Sequence, residues 1–419
     1  MLGVFSIALN CSGFSLLTHE HIVDMSWEND IQPLLAKRFP EASAEDLRSA
    51  RAHAYGGCLI HDIGYYPFGS KLFSDLTHYV RTGDFVRNLV LESTNLNEYA
   101  FALGALAHYS SDVTAHPSIN RAVGITYPKL RAKYGDSVTF ADDPLAHARV
   151  EFGFDVTQVA KNRYTPKQYH DFIGFEVSKP VLERAFFKTY GLKVSDVLKN
   201  EDLAIGSFRR SASTIVPKMT TAAAAARREQ MLKDDPAFDE KKFMYRLSRA
   251  EYEKEWGKTY QKPGFFTRLL GYVVLIFSKI GVTKSADFTI PSPETEALYL
   301  ESVDQTIQHY QSLLQQIDRN DHRLVNVDFD TGERPCSGEY LLGDQTYARL
   351  LDEHAKRKFQ FLDAALRDDI LAFYSGAIPK LTTRKERKAW QKTHSQLEIL
   401  RSPGLSSTTD DANANPARD

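Results

Sequence analysis

Three side chains able to bind a metal, His108, Asp112 and His116, recur at every fourth position in the otherwise small and apolar stretch from Glu98 to Asn120. No other feature of the chain constrains its fold as much. At about 100° and about 1.5 Å per residue, a helix brings the three within roughly 80° of its circumference and sets the two histidines roughly 12 Å apart. One ion cannot serve both. The spacing predicts two or more metals strung along one helix, with the two oxygens of Asp112 reaching between them. Pro117 is expected to end this helix, because the residue before a proline is driven out of the helical region, leaving His116 at the last turn or just beyond it.

A single histidine on a core-facing stripe is more often structural than a ligand. Three donors in register point to metal, and the remaining ligands have to come from elsewhere in the chain. The totals place few limits on them. At 419 residues, with 42% hydrophobic and 25% charged side chains, the chain can bury a large core. A formal net charge of −2 gives no general attraction to polyanions, so a duplex nucleic acid is not expected as partner. Cys11, Cys58 and Cys336 are too few and too scattered for a disulfide framework or a thiolate zinc site.

Along the chain, the apolar run Leu2 to Leu9 followed by Cys11-Ser12-Gly13 fits the end of a secretory signal with a small-x-small cleavage site, although no Lys or Arg precedes it. Export to the periplasm or medium is the expectation. From Thr18 onward the apolar spacing is helical, with a break at Arg38-Phe39-Pro40 and a fresh cap at Ser43 before a helix from about Ala44 to Leu59. Gly64, Pro67, Gly69 and Gly83 predict a long loop around Asp62, with His78 on a short segment beyond it. Gly124 to Asp143 reads as an irregular connection, and Pro144 opens a helix that sets His147 and Glu151 four apart on one face.

Further helices are expected around Pro180 to Tyr190, Val194 to Lys199, Asp202 to Glu229, from Ser292-Pro293-Glu294 onward, and from about Asp344 to Phe373. The stretch Asp328 to Gly338 reads as a polar loop with room for a short hairpin. Phe265 to Phe277 is almost wholly apolar but too short to span a bilayer, which takes about 20 residues, so a buried helix is expected there, with a membrane-surface element as the other reading. The tail from Ser402 has the composition of a disordered segment.

In chain order the candidate donors are His19, Asp62, His78, His108, Asp112, His116, His147 and Glu151, all nitrogen or oxygen. This set suits zinc with room left for water. In order and spacing it resembles the zinc-dependent phospholipase C family, and the single-strand-specific nucleases that share its all-helical, three-zinc fold, over about Phe14 to Glu151. The resemblance implies an all-α, phospholipase C-like multi-helix bundle: a candidate signal segment over 1–13, a catalytic domain over 14–200, a helical C-terminal extension packed on it over 201–401, and a disordered tail over 402–419.

It also implies the ligand sets. One zinc ion would be held by Asp62, His78, His108 and Asp112, and a second by His116, His147 and Glu151. A third would use His19, the bridging Asp112, and the amine and carbonyl of the mature N-terminal residue. Family members commonly begin with tryptophan; here Phe14 stands in the comparable place, five residues ahead of His19. Two to three Zn2+ ions per chain are therefore expected, with Asp62 and Glu151 as catalytic groups acting on attacking water. The implied activity is phospholipase C hydrolysis of a glycerophospholipid, with peripheral contact to a membrane surface. The alternatives are a nuclease of the same fold, disfavoured by the lack of a basic run interleaved with aromatics, and a metal-stabilised protein without turnover. His61 beside Asp62 is similar to the HD phosphohydrolases, but those need a further upstream histidine and a distant aspartate in one site. Tyr65, Tyr66 and Phe68 are candidate walls of a substrate pocket.

Overall fold

A computed structural model of the protein describes residues 16–160, 176–211 and 289–402. The expectations placed on the N-terminal segment with Phe14, on the part of Asp202 to Glu229 beyond residue 211, on Phe265 to Phe277 and on the tail lie outside these residues. Every regular element among the described residues is helical. In chain order these are α1 (Leu16–Ser26), a π turn (Trp27–Ile31), α2 (Gln32–Arg38), α3 (Ala44–Cys58), a 3₁₀ segment (Ile60–Tyr65), α4 (Lys71–Tyr79), α5 (Thr82–Glu92), α6 (Leu96–Thr126), α7 (Pro128–Tyr134) and α8 (Pro144–Ala160). There follow α9 (Lys179–Tyr190), α10 (Val194–Val197), α11 (Glu201–Arg210), α12 (Pro293–Asp318), α13 (Leu341–Lys356), α14 (Ala364–Phe373) and α15 (Arg384–Arg401).

The bundle is arranged around α6. Asn95 caps it by accepting the Glu98 N–H at 3.0 Å, and the Glu98 carboxylate accepts the Thr94 N–H at 2.8 Å. One orphan donor of the first turn and the N–H just ahead of the cap are thereby satisfied. Small residues then let a neighbour come close. A Cβ at Gly104 would lie 1.9 Å from the Ala54 carbonyl oxygen, and one at Gly57 would lie 1.9 Å from that of Phe101. The axes of α3 and α6 can approach this closely only because both positions are glycine. On other sides α6 is covered by α12, α8, α5 and α1. Ser292 caps α12 by accepting the Thr295 N–H at 3.2 Å. The helix buries Tyr299, Val303, Tyr310, Leu314 and Ile317.

Several expectations are corrected. Pro117 does not end the helix, since α6 continues to Thr126. An interior proline costs about 3 kcal/mol, and burial of Ile119, Ala122 and Val123 beyond it offsets that loss. The stretch after Gly124 is less irregular than expected because α7 occupies Pro128–Tyr134. Asp62 sits in a 3₁₀ segment instead of an open loop. The polar stretch around Asp328 forms no strand, and its Asp328, Phe329 and Asp330 are buried. The C-terminal helix α15 carries no signal read above; Thr383 and Glu386 form a reciprocal cap at its start.

Candidate metal centre

The α6 face carrying His108, Asp112 and His116 points inward, and all three side chains are fully buried. Around Asp112 four imidazoles converge. Its Oδ2 lies 3.2 Å from His108 Nε2, 3.6 Å from His78 Nε2 and 4.0 Å from His116 Nε2, and its Oδ1 lies 3.6 Å from His19 Nε2. Asp62 adds a second carboxylate, with Oδ1 3.3 Å from His78 Nε2. His19, His108 and Asp112 form one grouping whose ligand atoms lie within 4.8 Å of one another, and Asp62, His78 and His108 form another. Two ligands on one tetrahedral zinc, each about 2.0–2.2 Å from it, stand roughly 3.3 Å apart, which matches most of these separations.

Backbone carbonyls fix the orientation of two of the rings. His108 Nδ1 lies 2.8 Å from the Cys58 carbonyl oxygen, and His78 Nδ1 lies 2.7 Å from that of Ser74. A carbonyl only accepts, so each Nδ1 carries the hydrogen and each Nε2 presents its lone pair to the cluster. The close glycine packing of α3 on α6 sets the Cys58 contact. His78 reaches the cluster from the end of α4, and His19 from the first turn of α1.

The donors fit a cation on a physical count. His78 Nε2, His108 Nε2, Asp62 Oδ1, both Asp112 oxygens, His116 Nε2 and Glu151 Oε2 are buried and without a hydrogen-bond partner among the described residues. Each such group costs about 1–3 kcal/mol, and more when charged. A divalent ion satisfies lone pairs that no donor reaches, and an all-nitrogen and oxygen set suits zinc.

Electrostatics without the ion follow the same logic. Burial alone would lower the His108 pKa, but Asp112 beside it raises it to about 9. Burial would conversely raise Asp112, yet the surrounding histidines, His108 first, hold it below the ordinary carboxylate range. Burial and the neighbouring His108 push His19 down. The two shifts run in opposite directions, as expected of an imidazole and a carboxylate in contact.

The expected second set is arranged differently. His147 Nδ1 lies 2.6 Å from Glu151 Oε1, and its Nε2 lies 2.7 Å from Asn120 Oδ1. Burial pushes Glu151 well up and His147 down to about 3. A neutral Glu151 therefore donates to Nδ1, while Nε2–H donates to Asn120. His116 stands apart from this pair in hydrogen bonding. Its Nδ1 is 3.1 Å from Oδ1 of Asp330, and the two ring centroids of His116 and His147 are 5.9 Å apart. His116, His147 and Glu151 do not form one of the tight ligand groupings among the described residues. Phe14, the expected third-site ligand, lies outside the described residues.

Asp330, Phe329 and Asp155 were missed from sequence, and His61 was weighed there only as a neighbour of Asp62. Asp330 comes from the polar stretch after α12, where nothing periodic marks it. Phe329 covers the cluster, its ring centroid 5.5 Å from that of His78 and 6.1 Å from that of His108. His61 stacks on His108 at 4.3 Å, nearly parallel at 3°. Asp155, one turn after Glu151, accepts from the Leu17 N–H and lies 2.6 Å from Thr18 Oγ1, anchoring the start of α1 beside His19. Of the expected pocket walls, Tyr65 lies 5.7 Å from the His78 ring, Tyr66 packs on Phe208, and Phe68 is partly exposed. A cavity of about 340 Å³ is lined by Pro117, Asn120, Arg121, Thr139 and Thr331, among others. Two of its lining residues, Pro117 and Asn120, follow His116 on α6, and His116 is itself fully buried.

A helical bundle that gathers buried imidazoles and carboxylates around one aspartate has the donor set of an all-α protein able to hold a metal. Residues 18–198 match the family model described as zinc dependent phospholipase C, so this stretch is similar to that family. The match spans every donor from His19 to Glu151 and stops short of Asp330. Comparisons with curated proteins and with solved structures gave no match.

Proposed function

We propose that the protein is a phospholipase C that hydrolyses glycerophospholipids with two to three zinc ions, releasing diacylglycerol and a phosphorylated head group. At the coarser level, its family and its histidine–aspartate groupings support a zinc-dependent phosphodiester hydrolase. The observation that carries this reading is the convergence of unpartnered, buried nitrogen and oxygen atoms on Asp112 within the family-matched stretch. Zinc, when bound, supplies a Lewis acid that polarises water and the phosphoryl group. Asp112 would hold the ions together through its two oxygens. Asp62 would orient the attacking water and take its proton, and Glu151 would serve similarly on the His147 side. The cavity beside Asn120 and Arg121 would admit the phosphodiester.

Secretion or a periplasmic location belongs to the same proposal, supported by the apolar run at Leu2 to Leu9 and the small residues after it. In this scheme cleavage after Gly13 frees Phe14, whose amine and carbonyl join His19 and Asp112; intact-mass measurement of exported protein checks the cleavage. Peripheral contact with a membrane surface would fall to Phe265 to Phe277. Among the described residues, no helix is long and apolar enough to cross a membrane.

The test is a side-by-side assay of zinc-loaded protein on phosphatidylcholine, lysophospholipid and single-stranded DNA. Diacylglycerol and phosphocholine are the expected products. Cleavage of DNA with no lipid turnover would replace the lipase by a nuclease, and no turnover of any substrate at full zinc content would leave a metal-stabilised protein.

A further inference from the structure

We infer that Asp330, from the segment between α12 and α13, is a positioning residue for His116 as a metal ligand, so that the metal centre is completed from outside the family-matched stretch. The inference rests on the zinc reading above. His116 lies between two carboxylates: its Nε2 is 4.0 Å from Asp112 Oδ2, and its Nδ1 is 3.1 Å from Asp330 Oδ1. One nitrogen thus faces the cluster and the other faces Asp330. A ligating imidazole needs its second nitrogen held by an acceptor, which fixes the tautomer and the ring plane and strengthens the ligand. His108 and His78 have backbone carbonyls in that place. His116 has Asp330 instead. No α6 carbonyl is needed for the task, and a charged acceptor raises ligand basicity more than a carbonyl does.

Asp330 is itself held from several directions. Its Oδ2 accepts from the hydroxyl of Tyr79 at 2.9 Å and from that of Tyr340. Its N–H donates to Asp328 Oδ1 at 3.0 Å, and its carbonyl accepts from Asn120 Nδ2 at 2.8 Å. Asn120 also bonds His147, so both halves of the His116 neighbourhood are tied to the same residue. The segment is pinned to the helical bundle before this point: the Phe329 N–H donates to the His78 carbonyl at 3.0 Å, and Thr82 exchanges hydrogen bonds with the backbone of Val327. A carboxylate fixed this firmly loses little orientational freedom when it holds a ring, which is what a positioning residue requires. A buried carboxylate with so many donors would otherwise be an expensive way to join a loop to a bundle.

The experiment compares full-length wild type with Asp330→Asn and Tyr340→Phe by competition for zinc against a chromophoric chelator, and by thermal unfolding of each with and without zinc. Asp330→Asn should weaken the ion next to His116 by about 10–100-fold while the tightest-bound ion keeps its affinity. Tyr340→Phe, which keeps the carboxylate and frees one of its anchors, should weaken the same ion by a smaller factor. Cobalt(II) in place of zinc should show an altered visible spectrum for that ion alone. A purely structural Asp330 would lower the unfolding temperature of metal-free protein and leave zinc affinity and the cobalt spectrum unchanged, which overturns the inference. If Asp330→Asn does not fold, Tyr340→Phe decides: wild-type affinity for every ion overturns the inference. Failure of wild-type protein to bind zinc at all would reject the zinc reading instead.

Discussion

At the scale of single residues, Asp112 is the position from which the site is organised. Four imidazoles face its two oxygens, so Asp112→Ala should lose more zinc than any other single replacement, measured as bound metal after gel filtration. Loss no greater than from His19→Ala would show that the ions do not share it. Asp62 tests chemistry apart from retention. Its carboxylate touches His78, and Asp62→Asn should lower turnover by about 10²–10⁴-fold, well beyond the fall in zinc occupancy. Full zinc with wild-type turnover would remove Asp62 from the reaction. His108 adds a dependence on pH. Its value in the folded metal-free chain, about 9, lies above the ordinary 6.5. The stability it contributes is therefore complete below about 6.5 and is lost as pH rises through about 9. Zinc must displace that proton, so zinc affinity should rise with pH up to about 9 as metal-free stability falls. Titrations with zinc at pH 7, 8 and 9, roughly spanning this range, check the sign; a flat response would mean that His108 is not a ligand.

At the scale of elements, the close packing of α3 against α6 positions two things together. It brings Cys58 within reach of His108 and leaves no room for a side chain at Gly104, where a Cβ would lie 1.9 Å from the Ala54 oxygen. Backbone cannot yield as a flexible side chain does. Gly104→Ala should destabilise the protein by about 1–3 kcal/mol and weaken zinc binding, because separating the helices withdraws the Cys58 carbonyl from His108 Nδ1. Chemical denaturation and chelator competition on the same variant check both. Unchanged zinc affinity in a destabilised protein would show that the ring is held by other contacts. The continuation of α6 past Pro117 matters at this scale too, since it keeps His116 inside a helix and brings Asn120 round to His147.

At the scale of the whole molecule, a bound ion would act as a cross-link among distant parts of the chain. Donors come from α1, the 3₁₀ segment, α4 and α6, and the segment before α13 closes over them through Phe329 and Asp330. Without metal, several buried lone pairs stay unmatched, so binding and folding should be strongly linked. Free zinc at 1,000-fold above its dissociation constant would stabilise the fold by about 4 kcal/mol. Thermal unfolding before and after chelation should show a large downward shift that added zinc reverses. Equal midpoints would mean that the cluster holds no ion.

What was legible in the sequence is what local spacing controls. The fourth-residue recurrence of His108, Asp112 and His116 placed them on one helix face, and Pro144 with His147 and Glu151 placed a second pair, because side-chain direction in a helix follows directly from sequence separation. The order of donors was enough to carry the resemblance to the zinc dependent phospholipase C family, whose model matches residues 18–198. Tertiary structure alone decided how His116 is partnered. Asp330 lies 214 positions from it along the chain, in a stretch with no periodicity, and no local rule says which loop will fold back onto which ring. The same holds for Pro117, whose local preference to end a helix was outweighed by the burial of Ile119, Ala122 and Val123 beyond it. Local sequence sets which way a side chain points, but long-range packing free energy decides what it meets there.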